Sequence, residues 1–501
     1  MNRSYFLVII PVLILTLTLL FFSGCSSEFK QFQEQALGFA AGDNEIDQEE
    51  FSKLVNLIEQ SDENQFQKFK AKAGTIDSSR VVSYLIEYFS AKKLSITEAK
   101  IWQLKNVAKT SEAFNINVFL ENSGSMNGYL NDPNTQFKNS VFSLLTRLKL
   151  FDYKDSLNLF FINKDEQFLF GNASNNDVMA FNDMLNPASF KQISNGRTGE
   201  SDINELIKRC ISKVNDKNLS VFISDCIYSP GKSRPDATKY LKEQKYKIFL
   251  NFATEIKNRN SNLSVIMLHL KGGYKGIYYD RQNHEIKFDN LIERPFYIWF
   301  IGTKPQIEKV IQSKLLEHLD GGYINKTILQ PAINEVVKRK IISKPLHGTF
   351  NRSNLKNYII EKSTTTNGLF GFELAVDFSN GIQDVSYYSD TANYNLSNGK
   401  YKLEIKEITD KSNTNFSGYS HLFKLTTNEI RDEEVLKIDL IGKTPKWVYN
   451  YTSKDDSKIL IDESEQQKTF GLKDLLEGVS DAFYPQSKHN SIATISITIK
   501  K

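Results

Sequence analysis

Asn117-Val118-Phe119-Leu120-Glu121-Asn122-Ser123-Gly124-Ser125-Met126 decides how the rest of the chain is read. An apolar run of buried-strand length ends in an acid, and two hydroxyls follow at alternate positions with a glycine between them. Hard cations such as Mg²⁺ take oxygen ligands of this kind and keep room for water. Outward from this stretch, strand-like runs recur at 116–120, 157–162, 167–170, 219–224, 263–270 and 296–301. Helical runs alternate with them at 138–150, 177–185, 202–214, 236–259 and 306–319. Such alternation predicts an α/β domain over 113–320: a doubly wound, mostly parallel sheet covered by helices on both faces. The runs at 157–162 and 167–170 lie too close for a crossover, which predicts one antiparallel edge strand. Residues 274–288 read as an inserted hairpin around Arg281-Gln282-Asn283-His284.

The chain has 501 residues, 40% of them hydrophobic, enough for more than one domain. A formal charge of +4 leaves no electrostatic footprint for nucleic acid. Three cysteines make no disulfide scaffold. A helix starting near Asp202 carries Cys210 about 12 Å from the sheet edge that holds Cys226, too far for a bridge.

At the N-terminus, Arg3 precedes the uncharged apolar residues 5–22, and Phe22-Ser23-Gly24-Cys25 follows. This end resembles the lipobox of bacterial lipoproteins, with Phe22 where Leu is usual. The resemblance implies that 1–25 is a lipoprotein signal peptide with Cys25 as the lipidated residue. The alternative is a plain transmembrane anchor, since 18 apolar residues just span a bilayer. Either way the remainder lies outside the cytoplasm, tethered to a membrane. Ser26 lacks the acidic retention signal of some such bacteria, which favours the outer over the inner membrane.

Residues 26–112 read as a helical stalk, with Phe51, Leu54, Val55 and Ile58, then Val82, Leu85 and Ile86, at helical spacing. Ile46-Asp47-Gln48-Glu49-Glu50-Phe51 mimics the end of an EF-hand loop. The first-half ligand positions would be Phe39, Ala41 and Asp43, so two of three ligands are missing, and Asp47 and Glu49 read instead as first-turn helix residues. Residues 321–345 read as a linker with a helix at 332–340. Residues 346–501 read as an antiparallel β-sandwich, with strands at 370–378, 401–408, 420–426, 435–441, 447–452 and 492–499 and a helix near 472–483.

Open α/β sheets bind ligands beyond the carboxyl ends of their strands. Two buried-type strands end in acids here, at Glu121 and Asp225. Between them a polar loop, Asn195-Gly196-Arg197-Thr198-Gly199-Glu200-Ser201-Asp202, enters a helix. In this combination the chain resembles the von Willebrand factor A domain family. That family's first loop reads Asp-x-Ser-x-Ser, its second supplies a Thr and its third an Asp. The resemblance covers 113–320 and implies a metal site of Glu121, Ser123, Ser125, Thr198 or Ser201, and Asp225, holding Mg²⁺ (or Mn²⁺ or Ca²⁺). Glu121 departs from the family's Asp by one methylene, which moves the carboxylate outward by about 1.5 Å. For the second loop, Ser201 is favoured because it sits where a hydroxyl also serves as N-cap.

The reading that follows is a membrane-anchored lipoprotein of the cell envelope. It binds a protein partner that presents an acidic group to the metal, and it carries no catalysis. Tyr228, Lys232 and Arg234, in the loop after Asp225, are the expected partner contacts. Two rivals stand beside it: a metal-free structural subunit of an envelope assembly, and a carbohydrate-binding or hydrolytic accessory protein acting through the sandwich. Enzyme signatures are missing. Gly442-Lys443-Thr444 resembles a P-loop end, but Lys437 stands where that loop needs glycine, and the six histidines have no metal-ligand spacing.

Overall fold

The computed structural model describes residues 27–501 except 44–45, 62, 71–75, 93–112, 132–134, 200, 231–235, 260–261, 333–336, 380, 410–415 and 486–490. The chain forms two compact units, Met1–Glu112 and Ala113–Lys501. Cys25, Lys232 and Arg234 lie outside the described residues.

In the first unit, helices α1 (Glu28–Asp43), α2 (Gln48–Gln60) and α3 (Ser78–Ala91) bury a shared aromatic cluster that includes Phe32, Phe51, Phe66 and Phe89. The described residues of this segment are largely helical, as read, while 93–112 of the expected stalk lie outside the described residues. Asp47 caps α2: it accepts from the Glu50 amide while Glu50 reaches back to the Asp47 amide. Helix α1 runs through Asp43, inside the stretch an EF-hand would need as loop.

The second unit is built on a seven-stranded sheet. Its elements are β1 (Phe114–Glu121), α4 (Gln136–Lys149), β2 (Lys154–Ile162), β3 (Glu166–Phe170), α5 (Asn175–Asp183), α6 (Pro187–Ile193), α7 (Ile203–Ser212), β4 (Asn218–Ser224), α8 (Ala237–Asn258), β5 (Leu263–Tyr279), β6 (Glu285–Thr303), α9 (Lys304–Gln312) and β7 (Asn325–Leu329). The strand order is β3-β2-β1-β4-β6-β5-β7. β1 is flanked by parallel partners, β2 and β4. β1 and β4 are buried almost end to end, as strands covered on both faces must be. One polar ladder interrupts the apolar pattern: Asn158 Nδ2 donates to Asn117 Oδ1 at 2.9 Å, so the buried amide of the central strand is satisfied.

The antiparallel edge strand β3 is as expected. The other half of the sheet differs. β6 runs antiparallel between β4 and β5, and β7 adds an antiparallel seventh strand inside the stretch expected as a linker. The hairpin at 274–288 is therefore the far end of a much longer one: β5 and β6 stay paired from Leu263 with Thr303 out to Tyr279 with Glu285. An apolar run such as Phe296–Ile301 carries no sign of its direction, which is why the sequence pattern left this open.

Among the described residues the remaining strands of three or more residues are β8 (Arg339–Ile341), β9 (Thr349–Asn351), β10 (Ile359–Thr364), β11 (Phe370–Val376), β12 (Tyr394–Leu396), β13 (Lys402–Glu407), β14 (His421–Thr427), β15 (Glu433–Ile441) and β16 (Ser491–Lys500). They form two sheets, β12-β15-β16-β10-β9 and β13-β14-β11-β8. Side chains cross between them: Tyr394 meets Phe423 at 5.3 Å, and Arg339 donates to the Ser496 carbonyl. Within these two sheets, among the described residues, every pairing is antiparallel except β10 with β16. Residues 447–452, expected as a strand, hold a short helix, Trp447–Asn450, and then only Thr452–Ser453 extended. The described end of the stretch expected as a helix at 332–340 is strand β8.

Helix α10 (Leu472–Phe483) falls where expected, but it packs on α8 rather than on the sandwich. Gly478 permits the close approach: a Cβ there would meet Ile248 Cγ2 at 2.4 Å and the Lys245 carbonyl at 2.6 Å. Lys245 pairs with Glu477 and Asp481. The segment before α10 also lies on the larger sheet. Tyr278 donates to Asp456 at 2.6 Å, the Arg281 amide donates to the same carboxylate, and Tyr297 meets Thr469 at 2.9 Å.

Candidate functional site

Parallel pairing of β1 with β4 puts both strand ends at one edge, where Leu120 stands beside Ile223. The next residues, Glu121 and Ser224, meet: Ser224 Oγ donates to Glu121 Oε2. Ser201 Oγ donates to Oε1 at 2.6 Å. The Gly124 amide donates to the Thr198 carbonyl at 2.7 Å, which closes the first loop onto the second. Ser123 and Ser125 share a hydrogen bond of 2.9 Å. Three loops therefore converge on Glu121 and Asp225, both 1% exposed.

The two carboxyls disturb each other. Burial and the nearby Asp225 push Glu121 up to about 7, against the pull of the Ser201, Ser224 and Ser123 hydroxyls. Burial likewise raises Asp225, opposed by Ser125, the Ile227 amide and the Arg294 charge. Asp225 Oδ1 accepts from the Ile227 amide at 3.2 Å, while Oδ2 is buried with no partner. Cys226, next in the chain, takes φ 55°, a left-handed conformation that a non-glycine residue adopts at a cost.

A cleft of about 570 Å³ opens on this edge. Glu121, Ser123, Ser125, Thr198 and Ser201 line it, and Asp225, buried beside Glu121, is not among the lining residues. Tyr279 and Asn283, from the far end of the long hairpin, line it too, the Tyr279 ring lying close to Gly124 of the first loop.

The donor set suits a hard divalent cation: two buried carboxyls at odds over charge, an orphaned carboxylate oxygen and neutral hydroxyls. Among the described residues no group of three or more His, Cys, Asp or Glu side chains is placed to hold a metal. A cation here would rest on hydroxyls and two acids alone.

Each expected residue other than Cys25, Lys232 and Arg234 can now be placed. Glu121, Ser123, Ser125, Ser201 and Asp225 come together, and Thr198 joins them at the cleft wall. Ser201 is not the N-cap of α7. Asp202 is, accepting from the Asn204 and Glu205 amides, which leaves the Ser201 hydroxyl free to bind Glu121. Tyr228 is not a surface contact. It is 2% exposed, its hydroxyl donates to Asn204 Oδ1 at 2.7 Å, and its ring packs edge-on against Tyr240. A tyrosine whose hydroxyl finds a partner in the interior gains from burying its ring. Cys210 and Cys226 are both free and buried, as the helix length predicted.

Sequence reasoning missed four contributors: Ser224, Tyr279, Asn283 and Arg294. Ser224 was legible: parallel register sets it beside Glu121. Tyr279 and Asn283 were not, because nothing in the hairpin sequence says which edge it overhangs. Arg294 was not either. It is fully buried on β6, donates to the Gln466 and Lys468 carbonyls, lies 4.5 Å from the Tyr278 ring centre and opposes the Asp225 charge. No protein family, characterised protein or solved structure was found to match the chain.

Proposed function

We propose that the chain is a lipid-anchored envelope protein that binds a protein partner through a Mg²⁺-dependent, adhesion-type site in a von Willebrand factor A-like domain. The observation that carries this reading is the meeting of Glu121 and Asp225, buried and mutually repelling, among hydroxyls at the carboxyl end of the parallel strands. Ser123, Ser125 and Asp225, with Thr198 or Glu121, would hold the ion. Bound there, it would supply an electrophilic coordination position for an acidic group of the partner. The chain's own part is to hold Ser201 and Ser224 against Glu121, to keep Asp225 dry, and to shape the cleft with Tyr279 and Asn283. Titration calorimetry with Mg²⁺, Mn²⁺ and EDTA tests this. The expected result is one site that vanishes in Glu121→Ala and Asp225→Ala. Absence of binding heat in a folded protein would remove the metal.

A second reading has its own support. Both Glu121 oxygens already accept a hydroxyl, and Arg294 opposes the Asp225 charge. A metal-free structural subunit would look the same in these contacts, and the same titration separates the two.

A further inference from the structure

Strand β10 carries an irregularity at its outer edge. Between Glu361 and Thr364 its pairing with β9 slips, so that two residues of β10 stand against one of β9. The first of the two, Lys362, has φ 50°. A bulge of this kind normally places glycine at that position, since glycine enters the left-handed region without strain. A lysine there holds strain that a glycine would relieve, and strain of this sort points toward a use for the side chain.

Bulges re-aim side chains. Here Lys362 stands in solvent and Ser363, the next residue, is 1% exposed. Ser363 Oγ is buried with no hydrogen-bond partner. Both residues line an open cleft of about 620 Å³, together with Thr365, Asn428 and Lys501. Among the described residues no ion pair joins the Lys362 or Lys501 ammonium to an acidic side chain, the neighbouring acids being taken by Lys400 and Lys500. The acidic side chain in the lining, Glu429, is held by Lys400. This cleft shares no residue with the one at Glu121.

We infer that this cleft is a binding site for a phosphate group. Two ammonium groups supply the charge, as point-charge phosphate binders. The orphaned Ser363 hydroxyl, Thr365 and the Asn428 amide supply donors to the oxygens. A carboxylate has fewer oxygens to engage them. The phosphate arrives either in solution or on a lipid headgroup, since both present the same oxygens.

The strained lysine gives the test two readouts of opposite sign. Melting curves of the full chain are recorded in EDTA, so that the Glu121 site is silent, with inorganic phosphate, glycerol phosphate, or acetate at matched ionic strength. Lys362→Gly should raise the melting temperature without ligand and weaken phosphate binding at least tenfold. Lys362→Asn, which also tolerates the left-handed region, should behave likewise. Ser363→Ala should keep the wild-type melting temperature and weaken phosphate several-fold. Acetate should not stabilise any variant. Vesicles containing phosphatidylglycerol distinguish the sources: Lys362-dependent vesicle binding assigns the headgroup, and phosphate binding without it assigns a soluble ligand. The inference is overturned if Lys362→Gly melts at or below the wild type, or if phosphate stabilises both equally.

Discussion

Replacing Glu121 by Gln should stabilise the metal-free protein above neutral pH, although it removes a hydrogen-bonded carboxylate from a buried site. An unfolded glutamate releases its proton near 4.5, whereas folded Glu121 holds it to about 7 because it is buried beside Asp225. Between those values the native state keeps a proton that the unfolded state has lost. Stability therefore falls as pH rises through this window, and the full cost remains above it. At 1.36 kcal/mol per pH unit, that cost is about 3 kcal/mol. Glutamine carries no charge and still offers a carbonyl to Ser201 or Ser224. Its amide must find an acceptor in the other hydroxyl, at a loss of about 1 kcal/mol. The net gain at pH 8 is about 2 kcal/mol, or roughly 2–4 °C in a unit of this size. Denaturation in EDTA from pH 5 to pH 8 measures it: wild-type stability declines along that range relative to the variant. Added Mg²⁺ reverses the order, since saturation at a hundredfold over Kd contributes about 2.7 kcal/mol to the wild type alone. Destabilisation of Glu121→Gln at pH 8 without metal would contradict a Glu121 carboxyl raised by burial beside Asp225.

His269 gives a pH effect of the opposite sign. Burial between Tyr297 and Trp447, with Lys271 nearby, lowers it to about 4. Its contribution is complete above pH 6.5 and is lost as pH falls toward 4, about 3 kcal/mol in all, so His269→Gln should flatten acid unfolding over that window when the two proteins are compared directly. Gly478→Ala should cost about 1–3 kcal/mol despite alanine's better helix propensity, because its Cβ meets the Lys245 carbonyl, which cannot step aside without moving α8. Chemical denaturation reads that loss, and a variant as stable as the wild type would mean that α8 and α10 are not in contact.

The parts of this molecule that were legible in its sequence are those governed by local pattern. The apolar run ending in Glu121 could only be a central strand, because the alternation after it supplies helices for both faces. Residues 472–483 read as a helix from their spacing alone. What such patterns do not contain is partner choice. Nothing in the α10 sequence says that its apolar face meets α8, and nothing in Phe296–Ile301 says that the strand returns antiparallel between β4 and β5. Residues 447–452 are aromatic and β-prone, yet they follow Pro445 and are held by contacts of Trp447 with His269 and Thr327 that lie far away in sequence. At the site, the strand-end acids and the hydroxyl loop were visible because strand ends have a fixed geometric role. Tyr228 misled because loop position was taken for exposure. Arg294 stayed hidden because its companions come from the Tyr274–Tyr278 hairpin and from Gln466–Lys468, and only folding brings them together.

Whether a cation binds among Glu121, Ser123, Ser125 and Asp225 is measured most directly by anomalous diffraction from crystals of the protein soaked in Mn²⁺. One manganese peak is expected in the cleft, bound by oxygens of Ser123, Ser125 and Asp225 with Glu121 or Thr198 beside them, at oxygen-ligand distances of about 2.2 Å. A well-ordered cleft with no peak, or with the only peak elsewhere, would contradict a cation site there.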